Sequence, residues 1–296
     1  MHIKGSPEQL DKTLTTIWSL LTEARVYEAK ARTEKLLHLI QAFEEQGQGP
    51  SPEIAAHAYH VAGYTASMSA RNAEALPALH CFHEMKRLAG EAQNATLSVI
   101  ALSYEGDTYR RLGELSQALT CLQDAYHYMS QPDLAAHGNC AQLLARIYFR
   151  SGDRQHFEKM MEEAERIGKS IDPIENSLHG QYCLGTVYID YARSYNQLGL
   201  TQKAFEYLDC AEEALPPSPH WRTLLIATRG ILLVRNGDFQ KGMPDVLEAV
   251  RLGYKHGNQR LLDRFYALEY HLNEQARRLD QARLDLSDAL ERSLDF

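Results

Sequence analysis

Disulfide chemistry, membrane spans and basic charge are all scarce in this sequence of 296 residues. The five cysteines are odd in number, widely separated and never arranged as a C-x-x-C pair, which predicts reduced structural thiols rather than a disulfide framework. No apolar stretch reaches the ~18–20 residues of a membrane-spanning helix. Residues 1–5 contain no apolar segment typical of a signal peptide. A cytoplasmic protein with no membrane partner is therefore expected.

Acidic residues outnumber basic ones, 39 to 31, and the net charge is −8. This balance argues against a general nucleic-acid binder, so no direct nucleic-acid partner is predicted. Phosphate loops, dinucleotide fingerprints, nucleophile elbows and H-E-x-x-H motifs are absent as well. Composition and motifs therefore predict neither a cofactor nor a catalytic residue, and they favour a protein that is not an enzyme.

Helical periodicity is the dominant signal that the sequence does contain. Almost every segment carries apolar residues at i, i+3, i+4 and i+7, which is the pattern of amphipathic helices. A second regularity accompanies it: Gly106 is followed by Tyr109, Gly113 and Ala118 at intervals of three, four and five residues. Small residues such as Gly106 and Ala118 allow two helices to approach closely. Gly113 is suited to end the first helix, because glycine readily adopts a left-handed conformation.

The same frame recurs along the chain, for example as Ala192, Tyr195, Gly199 and Ala204. Three copies match well, one is fair and two are degenerate, at residues 99–132, 138–171, 185–218, 223–256, 59–92 and 10–43. In these residues the chain resembles the tetratricopeptide repeat (TPR) family, whose units are antiparallel helix pairs. A single pair cannot bury its apolar face alone, so such pairs must stack.

The resemblance implies an all-α fold, a right-handed α-solenoid of about six to seven antiparallel helix pairs with a C-terminal capping helix pair. It implies a single TPR-like superhelical domain over residues 1–296. Within that domain, the better repeats span 99–256, the degenerate repeats span 10–92 and the cap spans 257–296.

The resemblance also implies a binding surface, because the first helices of stacked TPR units line the concave side. Arginine offers a planar donor fork for carboxylates or phosphates, and amides can bind the backbone of an extended peptide. We therefore predict a concave groove for a peptide or protein ligand, formed by Arg111, Asn139, Gln142, Arg146, Arg150, Arg193 and Asn196. An alternative stays open, in which these arginines are solvated or pair with Asp107 and Asp190.

Histidine provides the one metal-binding pattern. His57 and His60 lie on one predicted helix and His80 and His83 on the next, so the four could form a metal site. Their spacing matches no known zinc motif. Ordinary surface histidines are the favoured interpretation, and no metal is predicted.

The functional prediction is a protein- or peptide-binding module. Within that class the chain resembles the repeat halves of bacterial signal-responsive regulators, which implies a sensor or adaptor. The alternative is a regulatory, phosphatase-like effector enzyme, which would need buried acid and amide residues with shifted pKa values in one pocket. Homodimerisation through the terminal helices is a further prediction.

Overall fold

The computed structural model describes residues 7–128 and 133–293, and every regular element within these ranges is helical. Residues 1–5, on which the signal-peptide argument rests, lie outside them, as do the last residues of the predicted repeat at 99–132 and of the predicted cap. A short 3₁₀ turn spans Asn72–Glu74. The α-helices are α1 Pro7–Thr22, α2 Val26–Glu45, α3 Pro52–Ser69, α4 Leu76–Glu91, α5 Ala95–Leu112, α6 Leu115–His127, α7 Leu134–Ser151, α8 Arg154–Gly168, α9 Leu184–Gln197, α10 Thr201–Ala214, α11 Pro219–Arg235, α12 Phe239–His256 and α13 Gln259–Ser293.

The helices α1 to α12 pack as six successive antiparallel pairs, and each pair coincides with one of the six predicted repeats. The predicted glycine turns are present inside four of these pairs, because Gly113, Gly152, Gly199 and Gly237 adopt φ between 74° and 90°. The prediction of an all-α solenoid with six to seven helix pairs is confirmed.

Close helix contacts occur where the repeat pattern places small residues. At Gly106 an added Cβ would lie 2.6 Å from Cγ of Leu122, and the facing Ala118 is fully buried. The second helix of that pair can therefore pack directly against the backbone of the first.

The predicted capping helix pair is wrong, because a single helix, α13, spans Gln259–Ser293. The prediction rests on two apolar stripes, one around Leu261 to Leu272 and one around Leu279 to Leu290. The 35 residues of α13 contain neither glycine nor proline, so nothing in the sequence breaks the helix between these stripes. Its first part buries Leu261, Leu262 and Phe265 against α11 and α12. Its last part, from residue 275 to 291, is exposed throughout.

The two ends of the solenoid meet. Helix α13 contacts α3, and α1 contacts α11. Arg260 forms an ion pair of 2.8 Å with Asp107 of α5, and Arg71, which follows α3, forms one of 3.4 Å with Asp263. As a result, part of the concave side is covered by the chain itself.

The connection between α8 and α9, residues 169–183, is irregular and is called here the α8–α9 loop. Tyr182 of this loop is fully buried, and its hydroxyl donates to the Ala164 carbonyl at 2.6 Å. The neighbouring Gln181 accepts a hydrogen bond of 2.5 Å from the hydroxyl of Tyr64 in α3. The loop therefore links the middle of the solenoid to its N-terminal pairs.

The buried apolar residues form two clusters, one extending from α1 to α11 and a smaller one in α11, α12 and α13. Within residues 7–128 and 133–293, no helix combines the length and apolar character that crossing a membrane requires.

Candidate functional site: an arginine-lined groove

A groove runs along the first helices of four successive pairs, α5, α7, α9 and α11, and is bordered by the start of α13. It contains a cavity of about 420 Å³. A second cavity of about 100 Å³ adjoins it and shares Arg146, Asp190 and Arg193 among its lining residues. We call the whole the arginine groove, because it is lined by Arg110, Arg111, Arg146, Arg150, Arg193, Arg235, Arg260 and Arg264.

Positive charge predominates in this groove although the protein is acidic overall. Among the described residues, eight arginines face three aspartates, Asp107, Asp190 and Asp263, and no glutamate or lysine lines either cavity. Guanidinium groups bind carboxylates and phosphates in a bidentate manner. The groove is therefore suited to an anionic ligand.

The structure brings all seven predicted residues into this region. The deeper, smaller cavity contains the amides of Asn139 and Gln142, and both residues are buried. The remaining five line the wider cavity, namely Arg111, Arg146, Arg150, Arg193 and Asn196. Their convergence follows from the repeat, which places them on the first helices of adjacent pairs.

The pairing of arginines with Asp190, left open by the sequence, is present in the structure. Asp190 accepts hydrogen bonds from Nε of Arg146 at 2.6 Å and from Nε2 of Gln142 at 2.7 Å, and Nη1 of Arg193 lies 3.5 Å away. Burial opposes ionisation, but Arg146 and Arg193 hold the pKa of Asp190 below its ordinary value. Asp190 is thus a fixed negative charge that positions two of the predicted arginines.

Asp107 is a second buried carboxylate, and it joins three helices. Its oxygens lie 2.6 Å from Arg110 of α5, 2.8 Å from Arg260 of α13 and 3.7 Å from Arg146 of α7. Burial would raise its pKa, yet the three guanidinium groups lower the pKa below the ordinary value of an aspartate. This carboxylate anchors the start of α13 over the groove.

Three of the predicted residues are engaged with the protein itself. Arg111 donates to the Asn72 side chain at 2.8 Å and to the Ala70 carbonyl at 3.1 Å, and burial lowers its pKa to about 10. Asn196 accepts a hydrogen bond of 2.7 Å from Asn236. Arg150 is exposed and donates to the Arg110 carbonyl at 3.3 Å. Of these three, Arg150 is the one most accessible to a ligand.

Helix α13 contributes groove residues that the repeat pattern did not identify. Arg260 and Arg264 are four residues apart and therefore lie on one helical face, which in the structure borders the groove. Leu261, Leu262 and Phe265 are buried against α11 and α12. The i, i+4 arginines flanking this apolar stripe were the signal that could have found them.

Arg264 and Arg235 differ from the other groove arginines, because each has a buried guanidinium nitrogen without a hydrogen-bond acceptor in the described part of the chain. Nη1 of Arg264 and Nε of Arg235 are buried and lack a hydrogen-bond acceptor among the described residues. Burial, followed by the nearby Arg193 and Arg260, lowers the pKa of Arg264 well below its ordinary value. A buried donor without an acceptor is costly, and an external anion would supply an acceptor at these two nitrogens.

The enzyme alternative required buried acids and amides in one pocket. Asp107, Asp190, Asn139 and Gln142 do line the smaller cavity together. Both carboxylates are bound by arginines and have lowered pKa values, which makes them poor proton acceptors at neutral pH. The arrangement resembles an ion-pair network more than an acid–base pair.

The histidine pairs are not arranged as a four-ligand site. His83 of α4 lies 3.7 Å from Glu105, and neither it nor His80 joins the other pair. His57 and His60 instead lie beside His179 of the α8–α9 loop. Burial lowers the pKa of all three of these imidazoles, to about 4 for His179.

Comparisons with known proteins add distant structural similarities. No family model and no curated protein matches the chain. A Podosopora anserina protein, described as a kinesin light chain with nearly identical TPR-like repeats, has 14% identity and a TM-score of 0.43, covering 69% of this chain and 97% of its own. BtubC (BKLC) from P. vanneervenii has 16% identity and a TM-score of 0.46, covering 83% and 91% respectively.

A third solved structure, that of pilF from Pseudomonas aeruginosa, has 14% identity and a TM-score of 0.45, and covers 89% of this chain and 99% of its own. With similarity this distant, classification rests on the helix pairs themselves. They define an all-α solenoid of TPR-like units.

Proposed function

We propose that this protein is a binding module, of the sensor or adaptor type, whose arginine groove receives an acidic segment of a partner protein or peptide. The observation that carries the proposal is made at Arg235 and Arg264, each of which has one buried guanidinium nitrogen without an acceptor in the described chain. A carboxylate of the ligand would supply that acceptor. Asn139, with an unpartnered buried amide nitrogen, offers a donor for the ligand backbone.

The size of the groove supports a segment rather than a large surface. A cavity of about 420 Å³ accommodates a few side chains, and the start of α13 covers part of the concave side. The bound segment would therefore be short and extended along α7, α9 and α11.

The test is fluorescence anisotropy with a labelled ten-residue peptide of alternating Glu and Ala, compared with the same peptide carrying Gln in place of Glu. We expect the acidic peptide to bind, the Gln peptide to bind at least about tenfold more weakly, and added salt to weaken binding. Arg264→Gln and Arg235→Gln should each reduce affinity by about tenfold or more.

The matched control is Arg277→Gln, an exposed arginine on the same helix α13 but away from the groove. It should bind like the wild type. Equal affinity for both peptides, or equal losses in all three variants, would contradict the proposal. Preferential binding of a ten-nucleotide single-stranded RNA would favour nucleic-acid recognition instead.

A second part of the proposal concerns self-association through α13. Its exposed end, residues 275–291, corresponds to about 25 Å of helix at ~1.5 Å per residue. Phe265, Leu272, Leu279 and Leu286 repeat every seven residues, the spacing of a coiled-coil seam. Leu279 and Leu286 are 71% and 61% exposed, so their apolar surface lacks cover within the described chain.

The charges beside this seam favour an antiparallel second copy. In an antiparallel pair Arg278 of one chain faces Asp285 of the other, whereas a parallel pair would bring Arg278 opposite Arg283. Light scattering after size exclusion should show a dimer that Leu279→Glu with Leu286→Glu converts to a monomer. The control is Leu247→Glu, because Leu247 lies on α12 and is also 61% exposed. This variant should leave the dimer intact. A monomeric wild type at high micromolar concentration would refute this part.

A further inference from the structure

Three imidazoles from two distant parts of the chain converge near the N-terminal end of the solenoid. His57 and His60 lie on α3, three residues apart and so on one face. His179 comes from the α8–α9 loop, more than a hundred residues later. One ring nitrogen of each histidine lies within 4.8 Å of those of the other two. We call these three residues the histidine cluster.

The central member of the cluster is unusual for a core residue. His60 is 0% exposed, and both of its ring nitrogens lack a hydrogen-bond partner within residues 7–128 and 133–293. No described residue donates to or accepts from a ring nitrogen of His57 or His179 either. Buried polar atoms are almost always satisfied, so the two buried ring nitrogens of His60 call for a partner, and the ring nitrogens of His57 and His179 lie close enough to share one.

The surroundings orient the rings without satisfying these nitrogens. Trp18 of α1 stacks on His179 with ring centroids 4.6 Å apart and meets His60 edge-on at 4.9 Å. His179 has φ 49°, in the left-handed region that few non-glycine residues adopt. Aromatic contacts of this kind fix ring direction, which is what a set of ligands requires.

We propose that the histidine cluster binds one zinc ion through three imidazole nitrogens, with the fourth position open. Neutral imidazole is the nitrogen ligand that zinc prefers, and three-histidine sites with an open position are well established for this metal. Tetrahedral coordination at ~2.0–2.1 Å places the nitrogens about 3.4 Å apart. Small side-chain rotations would close the present separation of up to 4.8 Å.

Access and charge are compatible with metal entry. His60 is buried, whereas His57 and His179 are partly exposed to solvent. Asp11 and Glu53 are the acidic groups whose charges act on His57 and favour a cation there. A bound ion would join α3 to the α8–α9 loop.

The consequence of such a link reaches the groove. Gln181, two residues after His179, accepts the hydrogen bond from Tyr64, and both residues line the smaller cavity of the arginine groove. Zinc would therefore hold one wall of the proposed ligand site in place. The metal site itself does not depend on the proposed function.

The test uses the full chain, freed of any affinity tag and of metal by EDTA and dialysis. Zinc affinity is measured by competition with a chromophoric chelator, and stoichiometry by elemental analysis. We expect one zinc per chain, a cobalt derivative with tetrahedral d–d absorption, and a change in Trp18 emission on binding. His57→Gln and His179→Asn should each weaken zinc binding by more than the ~10–100-fold seen when an outer ligand partner is lost.

The control is His80→Gln, an exposed histidine of α4 outside the cluster, which should bind zinc like the wild type. His57 and His179 are chosen for substitution because they are only partly buried, and circular dichroism of the metal-free variants checks that they fold. The proposal is overturned if the wild type binds no stoichiometric zinc, or if the two cluster variants bind it as tightly as His80→Gln.

Discussion

Two arginines one turn apart on α13 should respond to the same substitution with opposite changes in stability. Arg264 is a partly buried cation whose Nη1 has no acceptor in the part of the chain that the structure describes, and the charges of Arg193 and Arg260 repel it. Arg264→Met keeps the side-chain length and removes the charge. Because replacing buried charge by an apolar side chain often stabilises a protein, we expect a gain of about 1–2 kcal/mol.

Arg260→Met should have the reverse effect. Arg260 neutralises the buried Asp107 at 2.8 Å and attaches α13 to α5. Removing one partner of a buried pair costs ~3–5 kcal/mol. Arg110 and Arg146 remain beside Asp107, so we expect a loss of about 2–3 kcal/mol.

Urea unfolding and thermal melting of both variants beside the wild type measure the difference. At ~2–4 °C per kcal/mol for chains of this size class, the melting temperatures of the two variants should differ by about 6 °C or more. The stabilised Arg264→Met variant should also bind the acidic peptide less well, since the proposed ligand contact is lost. If both substitutions destabilise the protein to a similar extent, Arg264 has an internal partner and the argument for an incomplete groove fails.

Other perturbations follow from individual contacts. Asp107→Asn removes a carboxylate whose pKa is lowered in the folded state. The stability that this carboxylate contributes is present above about pH 4 and is lost as the pH falls. The variant should therefore lose about 3 kcal/mol at pH 7, and its stability in urea unfolding should depend less on pH between about pH 5 and pH 2.5. Gly106→Val forces side-chain atoms into Leu122, whose Cγ lies 2.6 Å from the added Cβ position. This variant should lose about 1–3 kcal/mol of stability in the same urea assay. An unchanged urea midpoint would show that the two helices can separate freely. Tyr182→Phe deletes the 2.6 Å hydrogen bond to the Ala164 carbonyl and should cost about 1 kcal/mol, with a normal m-value because the ring still fills its site.

The helix pairs could be predicted because the repeat pattern reflects local requirements of the backbone and of helix packing. Gly113 and Gly199 mark places where the backbone must be left-handed, and Gly106 and Ala118 mark close helix contacts. Each of these signals acts within a few tens of residues. A single sequence therefore contains enough information to locate the pairs and, through them, the residues of the concave side.

The long-range contacts of the site could not be predicted from the sequence in the same way. The meeting of Arg260 with Asp107 joins positions 153 residues apart, and that of Tyr64 with Gln181 joins positions 117 apart. Such contacts depend on the curvature of the superhelix. That curvature is the sum of small differences in packing between successive helix pairs. The third histidine was missed for this reason, since His179 lies in an irregular loop that no repeat frame describes.

The meeting of the two ends has a consequence for how the protein unfolds. An open solenoid behaves as a one-dimensional array, in which terminal units fray first and the interior outlasts them. Here α3 contacts α13 and α1 contacts α11, so neither terminus can detach without breaking contacts of the other. Amide hydrogen exchange should therefore report similar protection for α3 and for the first turns of α13. An open array would instead show protection that decreases from the middle to the ends.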